Sequence, residues 1–416
     1  MSLNKQNLLA SSMLLYLVCY DFLFFHLEEI FNMKLFIFKV YFEFITFCMF
    51  VAYFGYLTKF FKLHKSALLL TGFILFSFVY GIFLNQDIVS IVKDFRLFFL
   101  PIILSLLFYS LRFFEKINIK RLIFSYIIIS IMLILYGFYE YIVFDGTVDS
   151  IWRYEFLLES KKAIDPDFLD HKVLYQVLRD GSIRVASLFI SALDYSFYLA
   201  TFGILIFIMG LKLRNFYLIP LFIIIIFSLY ISQVRTGFIL LFLGLLIYLL
   251  LNSRIKILYL ISFFVPLIAI LGTFLVMLFA GSSLNDASTL GRLVQYYQLI
   301  NEFTAFGSGL GEHAFSFDSL YIYLFLTYGV FGVLFFFIQY WIINKLIIVN
   351  NNIRKLNFNR YEVVLVQFMI IYHLASMYLF AFHHTLGAPT FFILYFFSFI
   401  ILSKAKYKLK KESLCE

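Results

Sequence analysis

Residues 215–252 read NFYLIPLFIIIIFSLYISQVRTGFILLFLGLLIYLLLN. Two apolar runs, each near the length needed to cross a bilayer's hydrocarbon core, are joined by the short link Ser232-Gln233-Val234-Arg235-Thr236-Gly237. Arg235 is the only charged residue in the stretch. Neither run alternates apolar with polar at the period of a one-sided strand or helix. A helix that is apolar all round belongs in a membrane or at the centre of a large protein. A chain that turns back through so short a link therefore reads as a transmembrane hairpin.

The rest of the chain repeats this pattern. Of 416 residues 63% are hydrophobic and only 14% charged, and the mean hydropathy is +0.96. Soluble domains carry about 25% charged residues, so an ordinary globular protein is excluded. The 59 Phe and 30 Tyr suit lipid-facing surfaces and interfacial belts. Apolar stretches long enough to span fall at roughly 8–25, 34–58, 66–85, 91–110, 121–144, 186–210, 215–232, 236–252, 256–280, 319–344, 361–382 and 387–403. The expected fold is an all-α integral membrane protein of about twelve transmembrane helices, a single polytopic membrane domain over residues 1–416. Two long interruptions break the series: about 145–185, rich in Asp, Glu, Lys and Arg, and about 281–318, rich in Gly and Ser. The first apolar run lacks a small-residue cleavage site and is followed by Asp21, Glu28 and Glu29, so it reads as a membrane helix rather than a signal peptide. Cys19, Cys48 and Cys415 form no disulfide framework.

Charge sets the expected orientation. Lys59, Lys62 and Lys65 follow the second run; Arg112, Lys116, Lys120 and Arg121 flank the gap after the fourth. Lys212 and Arg214, Arg254 and Lys256, then Lys345, Arg354, Lys355 and Arg360 mark later even-numbered connections, and five lysines follow the last run. The short odd-numbered connections carry few such residues. The positive-inside rule then places both termini in the cytoplasm and both long loops outside. Topology thus accounts for the net charge of +9 without nucleic acid as a partner. No glycine-rich phosphate loop lies on the basic side, which disfavours a cytosolic nucleotide-using enzyme.

The polar groups of interest all fall on the outer side of this scheme. Arg235 sits at the outer interface, where an ionisable residue snorkels, pairs or binds an anion. Arg184, in Ile183-Arg184-Val185-Ala186-Ser187, opens the sixth run at the same level with the same choices. Lys93 and Arg96 stand three apart at the outer start of the fourth run, sharing a helix face, with Asp94 able to offset one of them. In the second long loop, Asn285 to Thr289 supply capping residues and Leu290 to Phe303 read as an amphipathic helix on the membrane. Leu293, Tyr296, Tyr297 and Ile300 recur at helical spacing there, leaving Arg292, Gln295 and Gln298 toward water or a ligand. Phe306-Gly307-Ser308-Gly309-Leu310-Gly311-Glu312-His313 follows, either a plain loop or one whose glycines let backbone N–H groups approach a substrate. Asp318 is a first-turn acid of the next span or a functional carboxylate. His313 can change charge near neutral pH and so could act as a base. His383-His384 has no further ligands at metal spacing and reads as structural or interfacial. Several arginines facing one membrane-embedded cavity suit a lipid diphosphate, whose oxygens a guanidinium grips bidentately.

In these segments the chain resembles the bacterial O-antigen polymerase and O-antigen ligase superfamily. Residues 232–240, SQVRTGFIL, look like that family's S-x-x-R-x-G segment opening a helix; residues 184–198, RVASLFISALDYSFY, are similar to the stretch before its central helices. Residues 291–332 look like its Gly-Arg helix, G-x-G loop and following helix ending in Tyr328-Gly329-Val330-Phe331-Gly332. The resemblance implies a C-type glycosyltransferase-like bundle in the bacterial inner membrane, with two long outer loops and a periplasmic active site. It would act on undecaprenyl-diphosphate-linked glycan donor and acceptor, without nucleotide sugar, cofactor or metal, with a chain-length regulator as a further partner. Arg235 and Arg292 would bind the donor diphosphate, with Arg184, Lys93, Arg96, Gly309 and Gly311 contributing to substrate binding and Asp318 or His313 as the base. Ligases of the group carry a His-Asn pair where this chain has Phe317-Asp318-Ser319. That departure favours a polymerase of repeat units over a ligase that transfers glycan to lipid A core. A lipid-linked oligosaccharide flippase also fits many helices with internal arginines. It gives no reason for two long loops on one face, and the internal repeats that would support a transporter are not seen.

Overall fold

The computed structural model describes residues 3–31, 117–147, 151–162, 181–251, 287–312, 319–380 and 389–412, with further positions between 72 and 95 and at 174, 177–179, 264 and 271. The described residues are mostly helical: α1 (Leu3–Phe31), α2 (Ile119–Val143), α3 (Trp152–Lys162), α4 (Ala192–Leu213) and α5 (Leu218–Ile231). A two-stranded antiparallel hairpin, β1 (Leu178–Arg179) and β2 (Ser182–Ile183), lies between α3 and α4. There follow α6 (Arg235–Leu251), α7 (Ala287–Glu302), α8 (Leu320–Tyr328), a 3-10 turn at Gly329–Gly332, α9 (Val333–Asn351), α10 (Arg360–Leu379) and α11 (Pro389–Glu412). Among the described residues four stretches are long and apolar enough to cross a membrane: α2, α4, the α8–α9 stretch Leu320–Asn351, and α10; α5 and α6 are shorter apolar helices. The described residues are thus mostly helical and compatible with an all-α membrane protein, and the expected runs at about 34–58, 91–110 and 256–280 lie largely outside them.

The capping chemistry explains where several helices begin. The Asn118 side chain accepts from the Arg121 amide at 3.3 Å, Ser191 from Leu193 at 3.2 Å, and Asn359 from Glu362 at 2.9 Å while Glu362 returns the bond. α4 forms the centre, buried along most of its length. It runs antiparallel to α2, the Ser130 hydroxyl meeting the Tyr198 phenol at 2.8 Å and Tyr126 packing edge-on against Tyr198 and Phe202. It runs parallel to α6, where Gly237 lies against Ser196 and Gly244 against Ile204. α10 packs on α4 and is buried nearly throughout. At its heart His373 bridges α9 and α11, with Gln339 at 3.2 Å and Ser398 at 2.9 Å, and Gln339 donates to Tyr395. Such interhelical polar contacts fix register where apolar side chains find no preference between protein and lipid. The outward sides of α2, α5 and α6 expose Ile128, Leu135, Ile142, Ile223, Phe227, Phe242 and Leu249, a surface suited to hydrocarbon.

These pairings sort the connections into two ends. One gathers Asn118, Arg214, Arg354, Arg360 and the lysines of α11. There Glu362, its side chain 2% exposed, takes Lys404 at 2.7 Å and Lys408 at 2.9 Å. Lys404 also donates to the Ile117 carbonyl at 2.8 Å, Lys408 to that of Asn357 at 2.9 Å, and Asn118 N–H to Asn7 Oδ1 at 2.9 Å. Four helices are therefore clamped at this basic end.

The sixth run departs from expectation. Its first residues, 186–191, are not helical, and α4 starts only at Ala192. Ser187 adopts φ 57°, outside the helical region, held by a Glu140 oxygen that takes its amide, so the helical path cannot begin there. Arg184 accordingly leaves a hairpin instead of opening a helix. The interruption at 145–185 is also not featureless: it holds α3, whose Trp152 is packed by Phe22 and Phe25 of α1.

Removing a partner from a buried ion cluster typically costs about 3 kcal/mol or more. Glu362→Ala should therefore lower the thermal unfolding midpoint of the purified protein by several degrees, and Lys408→Ala by clearly less. Equal, negligible shifts in a melting assay would show that the clamp does not hold this end together.

Candidate functional site

At the end opposite the basic clamp, a buried ion pair organises an irregular segment. Glu140, near the end of α2, pairs with Arg153 of α3, their side chains 8% and 1% exposed. The second Glu140 oxygen accepts the amides of Ala186 at 3.0 Å and Ser187 at 2.8 Å. Arg153 donates to the Arg184 carbonyl, and the Ser187 hydroxyl to the Leu133 carbonyl at 2.7 Å. The Arg184 amide closes the hairpin region by bonding Val177 at 2.8 Å, and the Val185 amide reaches the Ile231 carbonyl at 3.5 Å. The segment 184–187 is thus held to α2, α3 and the last turn of α5. Arg184 itself is half-buried.

Ile231 leads straight into the link that carries Arg235. Gln233 turns the chain with φ 54°, Ser232 Oγ donates to the Leu229 carbonyl at 2.7 Å, and Arg235 begins α6. Its side chain is exposed, and it joins no ion pair among the described residues. A cation at a helix N-terminus opposes the helix dipole, so Arg235 does not serve the stability of α6. The Val185–Ile231 contact ties the backbone beside Arg184 to the last turn of α5, four residues before Arg235.

Arg292 lies in α7, one turn before Tyr296. The Tyr296 phenol meets Ser319 Oγ at 3.2 Å, and Ser319 Oγ contacts the Phe380 carbonyl, also at 3.2 Å, so α7 docks on the start of α8 and the end of α10. Burial pushes the Tyr296 phenol up to about 12, keeping it protonated at neutral pH. The expected apolar face of this helix divides in two. Tyr296 and Leu299 are buried against the protein, whereas Tyr297 and Ile300 are exposed beside Val294. Tyr296 meets the start of α8, and the exposed apolar ridge suits a lipid interface.

The glycine-rich loop interlocks with the break between α8 and α9. Gly307 N–H bonds Thr304 at 3.2 Å, Ser308 N–H bonds Leu326 at 2.8 Å, Gly309 N–H bonds Thr327 at 2.9 Å and Val330 N–H bonds Ala305 at 3.0 Å. Gly307 and Gly329 have φ 72° and 55°, and a side chain at either would overlap the opposing Thr327 or Ala305 carbonyl. The amides of residues 307–309 are therefore engaged within the protein. Gly309 rests against Gly81 and Leu84, and Gly311 against Ile91, two residues before Lys93 in sequence. Glu312 accepts from Gln86 at the open side of the loop.

Lys93, Arg96, His313, Asp318, His383 and His384 lie outside the described residues, as does the side chain of Arg292. Among the described residues no three His, Cys, Asp or Glu side chains gather closely enough to hold a metal ion. The sequence reading passed over Glu140 and Arg153, although Glu140 is the only acid in α2 and an ionisable group in a span demands a partner. No family model matches the sequence, and no curated protein or solved structure matches it either.

Gly307→Ala should drive the loop and the α8–α9 break apart, a loss of about 2 kcal/mol from strain and overlap combined. A fall of several degrees in the melting midpoint, with faster protease cleavage near residue 307, is the expected result. A midpoint equal to wild type would mean that the interlock is slack.

Proposed function

We propose that this chain is a glycosyltransferase that polymerises undecaprenyl-diphosphate-linked oligosaccharide repeat units, of O-antigen or a similar surface polysaccharide, at the periplasmic face of a bacterial inner membrane. The observation that carries the reading is the pairing of the Arg184 segment with the Arg235 link at the end remote from the clamped lysines. In this reading the protein has about twelve spans with both termini in the cytoplasm, so the basic end faces inward by the positive-inside rule and the arginine end faces out.

The chemistry follows from the charge that develops. A hydroxyl oxygen of one lipid-linked repeat attacks the anomeric carbon of the reducing-end sugar of the growing chain. The new C–O bond forms as the bond to the diphosphate breaks, and undecaprenyl diphosphate departs with the electron pair. Arg235 and Arg292 hold the diphosphate, and Arg184 adds a third cation. Fixed guanidinium groups in a partly desolvated site stabilise the leaving charge without reorganising. A diphosphate is already a good leaving group, so no strong general acid is needed. The hydroxyl proton passes to Asp318 or His313. Lys93 and Arg96, together with the loop at Gly309 and Gly311, complete the substrate surface; with the 307–309 amides engaged internally, the loop's part is to shape that surface. Phe317-Asp318-Ser319 in place of a His-Asn pair supports polymerisation over ligation.

Arg235→Ala should cut chain extension by about 100-fold, the scale of losing one preorganised charge-stabilising group. In cells that assemble the cognate polymer, the ladder should collapse toward single repeats at an unchanged protein level, with Arg235→Lys keeping part of the length distribution. A wild-type ladder from Arg235→Ala would remove Arg235 from the mechanism.

A further inference from the structure

A buried Glu–Arg pair is an unexpected device if stability alone is wanted, because well-packed apolar residues of similar volume usually do as well or better. What the Glu140–Arg153 pair does uniquely is fix backbone groups on both sides of one arginine. Arg153 takes the carbonyl of Arg184 itself, and Glu140 takes the amides of Ala186 and Ser187, at 3.0 and 2.8 Å. These residues belong to neither helix nor strand, and Ser187 sits at φ 57°, so no regular ladder holds them. The same segment meets the Ile231 carbonyl through Val185, four residues before Arg235. Arg153 is fully buried, and Trp152 beside it is packed by two rings from α1, so the anchor is rigid on its far side.

We propose that Glu140 and Arg153 are positioning residues: a buried charge pair that sets the Arg184 segment in register with the Arg235 link, so that the two guanidinium groups grip one lipid diphosphate. This rests on the reading of the site as a diphosphate binder. The pair acts through the backbone of 184–187 and does not itself touch substrate. Loss of either charge lets the segment relax and weakens the grip while leaving the rest of the bundle in place.

The test uses the full chain in nanodiscs and undecaprenyl diphosphate as the probe. Its affinity is measured for wild type, Glu140→Gln, Arg184→Ala and the double variant, each with a melting curve. Glu140→Gln should bind about tenfold more weakly, and in the Arg184→Ala background it should change affinity by less than about twofold, because both act through one contact. Unchanged affinity in Glu140→Gln, or a full tenfold loss repeated in the Arg184→Ala background, would overturn the proposal. Should Glu140→Gln not fold, Glu140→Gln with Arg153→Gln, which leaves no unpaired buried charge, is read by the same criteria. A cysteine in place of Arg184, in a chain whose native cysteines are replaced, supplies a readout independent of ligand. Its maleimide labelling rate should shift severalfold on Glu140→Gln, and an unchanged rate would refute positioning. If wild type does not bind undecaprenyl diphosphate at all, the proposed function fails and the labelling rate alone decides whether the pair positions the segment.

Discussion

The Glu140–Arg153 pair buries two opposite charges against each other, and the irregular chain around Arg184 depends on it. Buried backbone N–H and C=O groups must find partners, and helices supply those partners internally. Residues 184–187 have no such supply. A carboxylate from α2 and a guanidinium from α3 take its place, and only because they neutralise each other can both be buried. Ser187 is fully enclosed by protein, and its hydroxyl also returns to the Leu133 carbonyl.

The two ends of the bundle use charge in opposite ways. At the basic end, Lys404 and Lys408 are committed to Glu362 and to the carbonyls of Ile117 and Asn357. Their charges are spent on holding helices together. At the other end, Arg235 stands at a helix start that repels it, exposed and in no ion pair among the described residues. The anion role proposed for Arg235 rests on this contrast: an exposed cation placed where the helix dipole disfavours it.

Much of this was legible in the residues. The hairpin around 232–237, the position of Arg235 at a helix start and the helical nature of 287–302 followed from apolar run length, a near-absent link and capping residues. The start of α4 was not legible, because residues 186–190 are as apolar as the helix that follows. Only the left-handed turn at Ser187, fixed by a carboxylate distant in sequence that takes the Ala186 and Ser187 amides, breaks the helical path there. The two ridges of α7 were merged for a similar reason: periodicity finds apolar positions but does not say which ridge meets protein and which meets lipid. The glycine-rich loop read either as a plain loop or as a place for substrate to approach, and its glycines serve a close interlock with Gly329, a contact that no local pattern announces.

The central claim is that this chain alone joins lipid-linked repeats, with the diphosphate held by arginines at one end of the bundle. The most direct measurement supplies the purified protein with a synthetic undecaprenyl-diphosphate-linked repeat unit and no nucleotide sugar, and reads products by gel and mass spectrometry. The account predicts a ladder spaced by one repeat, with one undecaprenyl diphosphate released per bond formed. Folded protein given its verified native repeat and yielding neither ladder nor undecaprenyl diphosphate would contradict it.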